Sequence, residues 1–217
     1  MRILYVTAAI FFFLLSQGCS GTRPSTFYIL SPISRLQESE NIESNTQHIG
    51  ILLGPVSIPE FLDRPQIVTR SSENILELAE FHRWGGSFQN NILGILGENL
   101  SILLDSDRIL LFRQQPLFPV DFRVILDVRQ FDGELGSTVV LSVHWMVADQ
   151  RGNRKFLVRK SLFREQTSGP GYEAFVSAQS RAVGALSQEI ADAITDIVEN
   201  HSQISSPSKD VSDSKKD

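Results

Sequence analysis

The sequence predicts an α+β fold: a mostly antiparallel sheet with two amphipathic helices packed on one face as a layer sandwich. Three observations carry this expectation. Residues 121–131 alternate, with Phe122, Val124, Leu126 and Val128 on one side and Arg123, Asp127 and Arg129 on the other, Ile125 alone breaking the polar side. Residues 138–147 set Val139, Leu141, Val143, Trp145 and Val147 on one face, and Asp149-Gln150-Arg151-Gly152-Asn153 reads as a hairpin turn into residues 156–165. Residues 87–104 and 172–200 carry apolar side chains at three- and four-residue spacing, the stripe of a half-buried helix.

The N-terminal elements are of a different kind. Arg2 precedes an apolar run over residues 3–15, about 13 residues, which suits the core of an export signal. A spanning helix needs roughly 20. Residues 1–18 are therefore expected to be a signal peptide, followed by a polar tether over 19–26, one α+β domain over 27–200 and a disordered Ser/Lys/Asp-rich tail over 201–217. Cys19 is the single cysteine, so no internal disulfide is open to it, and its place directly after the signal gives it another use. Leu15-Ser16-Gln17-Gly18-Cys19 resembles a bacterial lipobox, in which the cysteine is acylated and becomes the mature N-terminus. The usual leucine three residues before the cysteine is Ser16 here, with Leu15 one place further back. Ser20 after Cys19 implies, by analogy, outer-membrane rather than inner-membrane sorting.

Within the domain, Phe27-Tyr28-Ile29-Leu30 reads as a first strand and residues 37–47 as a polar loop. Residues 49–58 form an apolar stretch bent at Gly54-Pro55. Pro59 and Pro65 bracket a stiff turn, and short strands are expected over residues 66–70 and 75–84. Gly85-Gly86 ends the last of these, and Ser87 is placed to cap the first helix. Gly94 and Gly97 weaken that helix by about 1 kcal/mol each relative to alanine, which close packing on a sheet would explain. Residues 108–113 read as a short strand before the meander.

Composition narrows the function classes. The chain has 217 residues and a net charge of -5, with no basic stripe interleaved with aromatics, so nucleic acid is not an expected partner. An acidic chain that meets a membrane is expected to need an anchor rather than a basic patch. No Gly-rich phosphate loop, GxSxG or HExxH motif is present, and His48, His82, His144 and His201 lack metal-ligand spacing. Glu77 and Glu80 fall on opposite faces of a strand, and His144 reads as a surface or half-buried residue. No catalytic residue, metal or cofactor is expected.

The remaining candidates lie between Gly54 and Trp84. Val56, Ile58, Phe61 and Leu62 sit among three prolines, with Asp63-Arg64 between them. Two readings stand: a rigid connection that plugs the core, or a preorganised corner presenting apolar anchors and Arg64 to a partner. Trp84 beside Gly85-Gly86 carries the same pair of readings.

Several stretches together resemble one family. They are Phe27-Tyr28-Ile29-Leu30, Ile49-Gly50-Ile51, Gly54-Pro55-Val56 and the string from Pro59-Glu60-Phe61-Leu62-Asp63-Arg64-Pro65 through Gln66-Ile67-Val68-Thr69-Arg70. Leu78-Ala79-Glu80-Phe81-His82-Arg83-Trp84, Asn90-Asn91 and Glu98-Asn99-Leu100 continue the likeness. The sequence resembles the PqiC family, auxiliary lipoproteins of ABC-type, MCE-protein transport systems, with Gly85-Gly86 and the slipped lipobox as departures. The resemblance implies a non-catalytic periplasmic lipoprotein, held at the outer membrane through acylated Cys19, that serves an MCE-domain protein and its inner-membrane permease in phospholipid transport and envelope integrity. It leaves open a direct lipid carrier, a structural lipoprotein of another envelope machine, and a homo-oligomer.

Overall fold

A computed structural model describes residues 23–33, 48–115 and 117–205. The expected signal peptide, Cys19, the loop 37–47 and residues 206–217 lie outside the described residues.

The strand pattern of the meander follows from its alternation. β6 (Phe122–Gly133), β7 (Thr138–Asp149) and β8 (Lys155–Gln166) pair antiparallel in that order. Val124, Leu126 and Val128 from β6 are buried with Val139, Leu141, Val143, Trp145 and Val147 from β7. Phe131 is out of phase with that alternation yet fully buried, because the register shifts between Val128 and Gln130. A bulge of this kind flips the parity of everything after it. It also turns Asp132 to the opposite face.

The sheet is larger than the meander, and the strands fall in two mixed sheets where the sequence suggested one mostly antiparallel sheet. β2 (Ile51–Ser57) inserts between β6 and β5 (Ile109–Leu111), parallel to both, making the order β5-β2-β6-β7-β8. A second sheet has the order β1-β4-β3, with β1 (Thr26–Tyr28) parallel to β4 (Ile75–Trp84) and β3 (Gln66–Ser72) antiparallel to it. The fold remains α+β, in two mixed sheets. Parallel neighbours are joined by long crossovers, so no local turn betrays them in the sequence. Both sheets feed one core, in which Ile67, Val68, Ala79 and Trp84 of the small sheet join the residues of the large one.

The helices cover one face of the large sheet. In α1 (Phe88–Leu103) the Ser87 hydroxyl accepts from the Asn90 amide at 3.3 Å, the expected cap. Phe88, Ile92, Leu96 and Leu100 are its buried stripe. Gly97 lies where a Cβ would stand 3.0 Å from a Leu111 methyl and 3.7 Å from one of Leu53, so its lack of a side chain lets α1 close on β2 and β5. Gly94 has open space at that position and needs another explanation. α2 (Tyr172–Ser205) packs on β7 and β8 and runs past the end expected at residue 200. After Gly184, the first residue able to break it is Pro207.

Residues 30–33 follow β1 without pairing to a strand, and their amides donate to side chains of both helices. The Leu30 amide donates to Asn91 Oδ1 at 3.1 Å, Ser31 to Ser180 Oγ at 3.1 Å and Ile33 to Asn99 Oδ1 at 2.9 Å. Asn99 is fully buried and passes a second bond from Nδ2 to Ser187 Oγ at 3.0 Å. The chain entering the domain is thereby clamped between α1 and α2.

Candidate partner-binding corner

The proline-bracketed turn closes on itself. Leu62 and Asp63 donate their amides to the Pro59 and Glu60 carbonyls at 2.9 and 3.1 Å. The turn is then tied to the small sheet, since the Trp84 amide donates to the Pro65 carbonyl at 2.7 Å and Gly85 to Tyr28 at 2.8 Å. The end of β4, the end of β1 and the turn therefore meet. Between them lies an open depression of about 340 Å3, bordered by Phe27, Arg64, Pro65, Trp84 and Gly85-Gly86, with Asp63 on the rim.

Burial divides the six residues singled out from the sequence. Val56, Leu62 and Trp84 are only 4%, 2% and 4% exposed, so they serve the core and offer a partner no free side chain in this conformation. Trp84 stacks on Phe88 at 4.3 Å between ring centroids, and Phe88 on Phe131 at 5.4 Å, a line of rings running inward from the corner. Val56 lies on β2 and Trp84 on β4, and with Leu62 of the turn their side chains join the shared core. Ile58, Phe61 and Arg64 are half-buried. Arg64 Nε is shielded from solvent and has no hydrogen-bond partner, and the side chain forms no ion pair, among the described residues.

Phe27 and Ile29 belong to the same surface and were not singled out in the sequence. They are 66% and 67% exposed, whereas Leu30 is buried. Their two-residue spacing along an extended segment puts both side chains on one face. That alternation was visible; what the sequence could not supply was which face looks outward.

A ring cluster fastens the same strand from its other side. Tyr28 Oη lies 2.8 Å from His82 Nδ1, and His82 stacks on Tyr172 with centroids 4.0 Å apart. Burial raises both tyrosine pKa values above their ordinary range; Glu173 adds to the effect on Tyr28, and Glu77 and Tyr28 add to that on Tyr172. The cluster joins β1, β4 and the first turn of α2.

Among the described residues there is no group of three or more His, Cys, Asp or Glu able to hold a metal ion, and no helix is long and apolar enough to cross a membrane.

A family model described as ABC-type transport auxiliary lipoprotein component matches residues 28–191. No curated protein matches the sequence. Among solved structures, a Xanthomonas campestris protein of the DUF330 family is 14% identical, with 82% of this chain and 99% of that one covered at a TM-score of 0.66. An uncharacterized protein is 19% identical, with 79% and 99% covered at a TM-score of 0.64. A minor lipoprotein from Acinetobacter baumannii matches more loosely, at 18% identity, 48% and 84% coverage and a TM-score of 0.32. At these identities the first two likenesses establish the fold alone.

Proposed function

The chain belongs to the family of ABC-type transport auxiliary lipoprotein components, and on that premise we propose that it is a non-catalytic accessory subunit of an MCE-type phospholipid transport system, anchored on the periplasmic face of the outer membrane. The family match across residues 28–191 carries the reading. It takes in the proline-bracketed turn, the clamped entry segment, all of α1 and α2 as far as Ala191.

In this reading, acyl chains on Cys19 provide attachment. Each buried methylene contributes about 0.8 kcal/mol and one chain binds only reversibly, so lasting attachment needs at least two. Asn91, Ser180 and Asn99 then transmit the hold to the folded body, because they grip the segment that enters it. The MCE-domain protein, with its permease, docks at Phe61 and Arg64. Arg64 is the motivating group: a guanidinium without an ion-pair partner among the described residues, beside a depression flanked by exposed Phe27, is placed to meet an acidic group on a partner.

Recovery of partners from solubilised envelopes with the full lipidated chain tests this. Phe61→Ala and Arg64→Ala are expected to lower recovery of the MCE protein while the fold is kept. Unchanged recovery removes the corner from the interface. Mass analysis of the N-terminal peptide reads the anchor, and an unmodified Cys19 thiol removes it. A direct carrier is the second reading, placed behind the first because the family is described as an auxiliary transport component. Phospholipid co-purifying at one per chain would restore the carrier.

A further inference from the structure

The net charge of -5 hides a segregation that the fold reveals. Residues 151–164 contain Arg151, Arg154, Lys155, Arg159, Lys160 and Arg164, six of the chain's 20 basic residues, and no acid. They form the β7–β8 turn and most of β8, which is the edge of the large sheet.

Register decides which of them share a face. Lys160 lies opposite His144 and Arg164 opposite Val140, while Val158 lies opposite Met146 and Leu162 opposite Ser142. Directly opposed residues of an antiparallel pair share a face. Their alternates point the other way, to the helices, where Arg159 meets Glu189 and Ser161 accepts from the Trp145 indole. The row of Val158, Lys160, Leu162 and Arg164 is thus on the side that α1 and α2 leave open. Among the described residues nothing covers it: Val158 is 63% and Leu162 48% exposed, and Lys160 and Arg164 are exposed and make no ion pair. Both acids that β6 places on this side are already paired. Asp127 bridges Arg129 at 2.6 Å, and Asp132 is fully buried against Arg70.

We propose that this open face of β7 and β8 rests on anionic phospholipid headgroups, which orients the tethered domain. The charge calls for an anionic surface, and two further features favour lipid over an acidic protein. The face over β7 and β8 presents no Trp, Tyr or Phe anchor, whereas protein interfaces concentrate such anchors and are depleted of lysine. It instead interleaves aliphatic side chains with long cations whose stems lie along apolar surface while their heads reach phosphate. A few cations of this kind orient a chain already held at the surface; they do not capture one from solution. The proposal rests on acyl attachment at Cys19 and adds the direction in which the domain lies.

The test uses the full lipidated chain on vesicles of phosphatidylcholine alone or with phosphatidylglycerol, and a polarity-sensitive fluorophore on Val158→Cys. Gln188→Cys, exposed on α2, is the control position. Attachment to both vesicles is expected, with blue-shifted emission from position 158 only where phosphatidylglycerol is present and none from position 188. Salt and the exposed-site variants Lys160→Glu and Arg164→Glu should remove the shift, each cation lost lowering the oriented population about fivefold. Attachment with the same emission on both vesicles overturns the orientation and spares the anchor. No attachment to either overturns both. A partner protein lost with Lys160→Glu, with no shift on any vesicle, assigns the face to that protein and overturns the lipid reading.

Discussion

The guanidinium of Arg70 on β3 lies bidentate on the carboxylate of Asp132 on β6, with Nε to Oδ1 at 3.1 Å and Nη2 to Oδ2 at 2.7 Å. It is a polar link between the two sheets. Gln130 Nε2 donates a third bond to the same carboxylate at 2.8 Å, and Arg70 Nη1 returns to the Glu73 carbonyl at 2.7 Å. Hydrogen bonding to Asp132 holds the Arg70 pKa above its ordinary value.

The two ends of this pair differ in burial, with the Asp132 side chain at 0% and that of Arg70 at 27% exposed. Removing Arg70 strands a carboxylate with no access to water; removing Asp132 leaves a guanidinium that reaches solvent. Arg70→Met is therefore expected to cost about 3–5 kcal/mol. Asp132→Leu should cost less, about 1–3 kcal/mol, and the double variant should recover much of the loss. Urea unfolding of the three proteins measures the order. Equal costs for the two single changes would mean that the buried charge is not what matters.

The Tyr28–His82–Tyr172 cluster predicts an alkaline limb. Both phenols have raised pKa values in the fold, chiefly from burial, so the folded state holds their protons more tightly than the unfolded chain does. Between the unfolded and folded values the native state binds more protons, and stability falls as pH rises. The decline should start near pH 10, the ordinary phenol value. Tyr172→Phe should flatten it. Chemical unfolding from pH 8 upward reads the slope, and an unchanged slope in Tyr172→Phe would exclude that residue as its source.

Asn99 is the buried polar residue on which the entry segment depends. Leucine at that position would leave the Ile33 amide without its acceptor and Ser187 without its donor. The expected loss is about 1–3 kcal/mol. The segment 30–33 should also exchange its amide hydrogens faster than in the parent, while the β6–β7 core amides change only as global stability dictates. Uniform acceleration across the protein would show that the clamp is not local.

How much of this was legible depended on whether the cause was local. Ser87 as a cap, the limits of β4 and the buried face of β7 come from neighbours in sequence, and the structure has all three. The parallel placement of β2 and the bulge that buries Phe131 depend on strands far along the chain, which periodicity does not encode. Gly94 and Gly97 looked alike in sequence, yet only Gly97 faces a sheet closely enough to need the missing Cβ. Net charge averages over faces that only the fold separates, so the basic edge at β8 does not show in it. At the corner, which residues face outward is set by packing between segments far apart in the chain.

Trp84 and Arg64 separate the two roles that the corner combines. Trp84 is 4% exposed and begins the stack that continues through Phe88 to Phe131, so Trp84→Ala opens a cavity and should cost about 3–5 kcal/mol. Arg64 has no ion pair among the described residues to lose. Its shielded Nε lacks a hydrogen-bond partner, so its removal also relieves a desolvated donor, and Arg64→Ala should leave stability within about 0.5 kcal/mol. If the corner is the docking surface, Arg64→Ala lowers partner recovery at unchanged melting temperature, whereas Trp84→Ala lowers both together and recovers binding when refolded protein is selected. Thermal unfolding and envelope pulldown on the same samples give the two axes. An Arg64→Ala protein that melts several degrees lower would place Arg64 among the stabilising residues and undo its assignment as a contact.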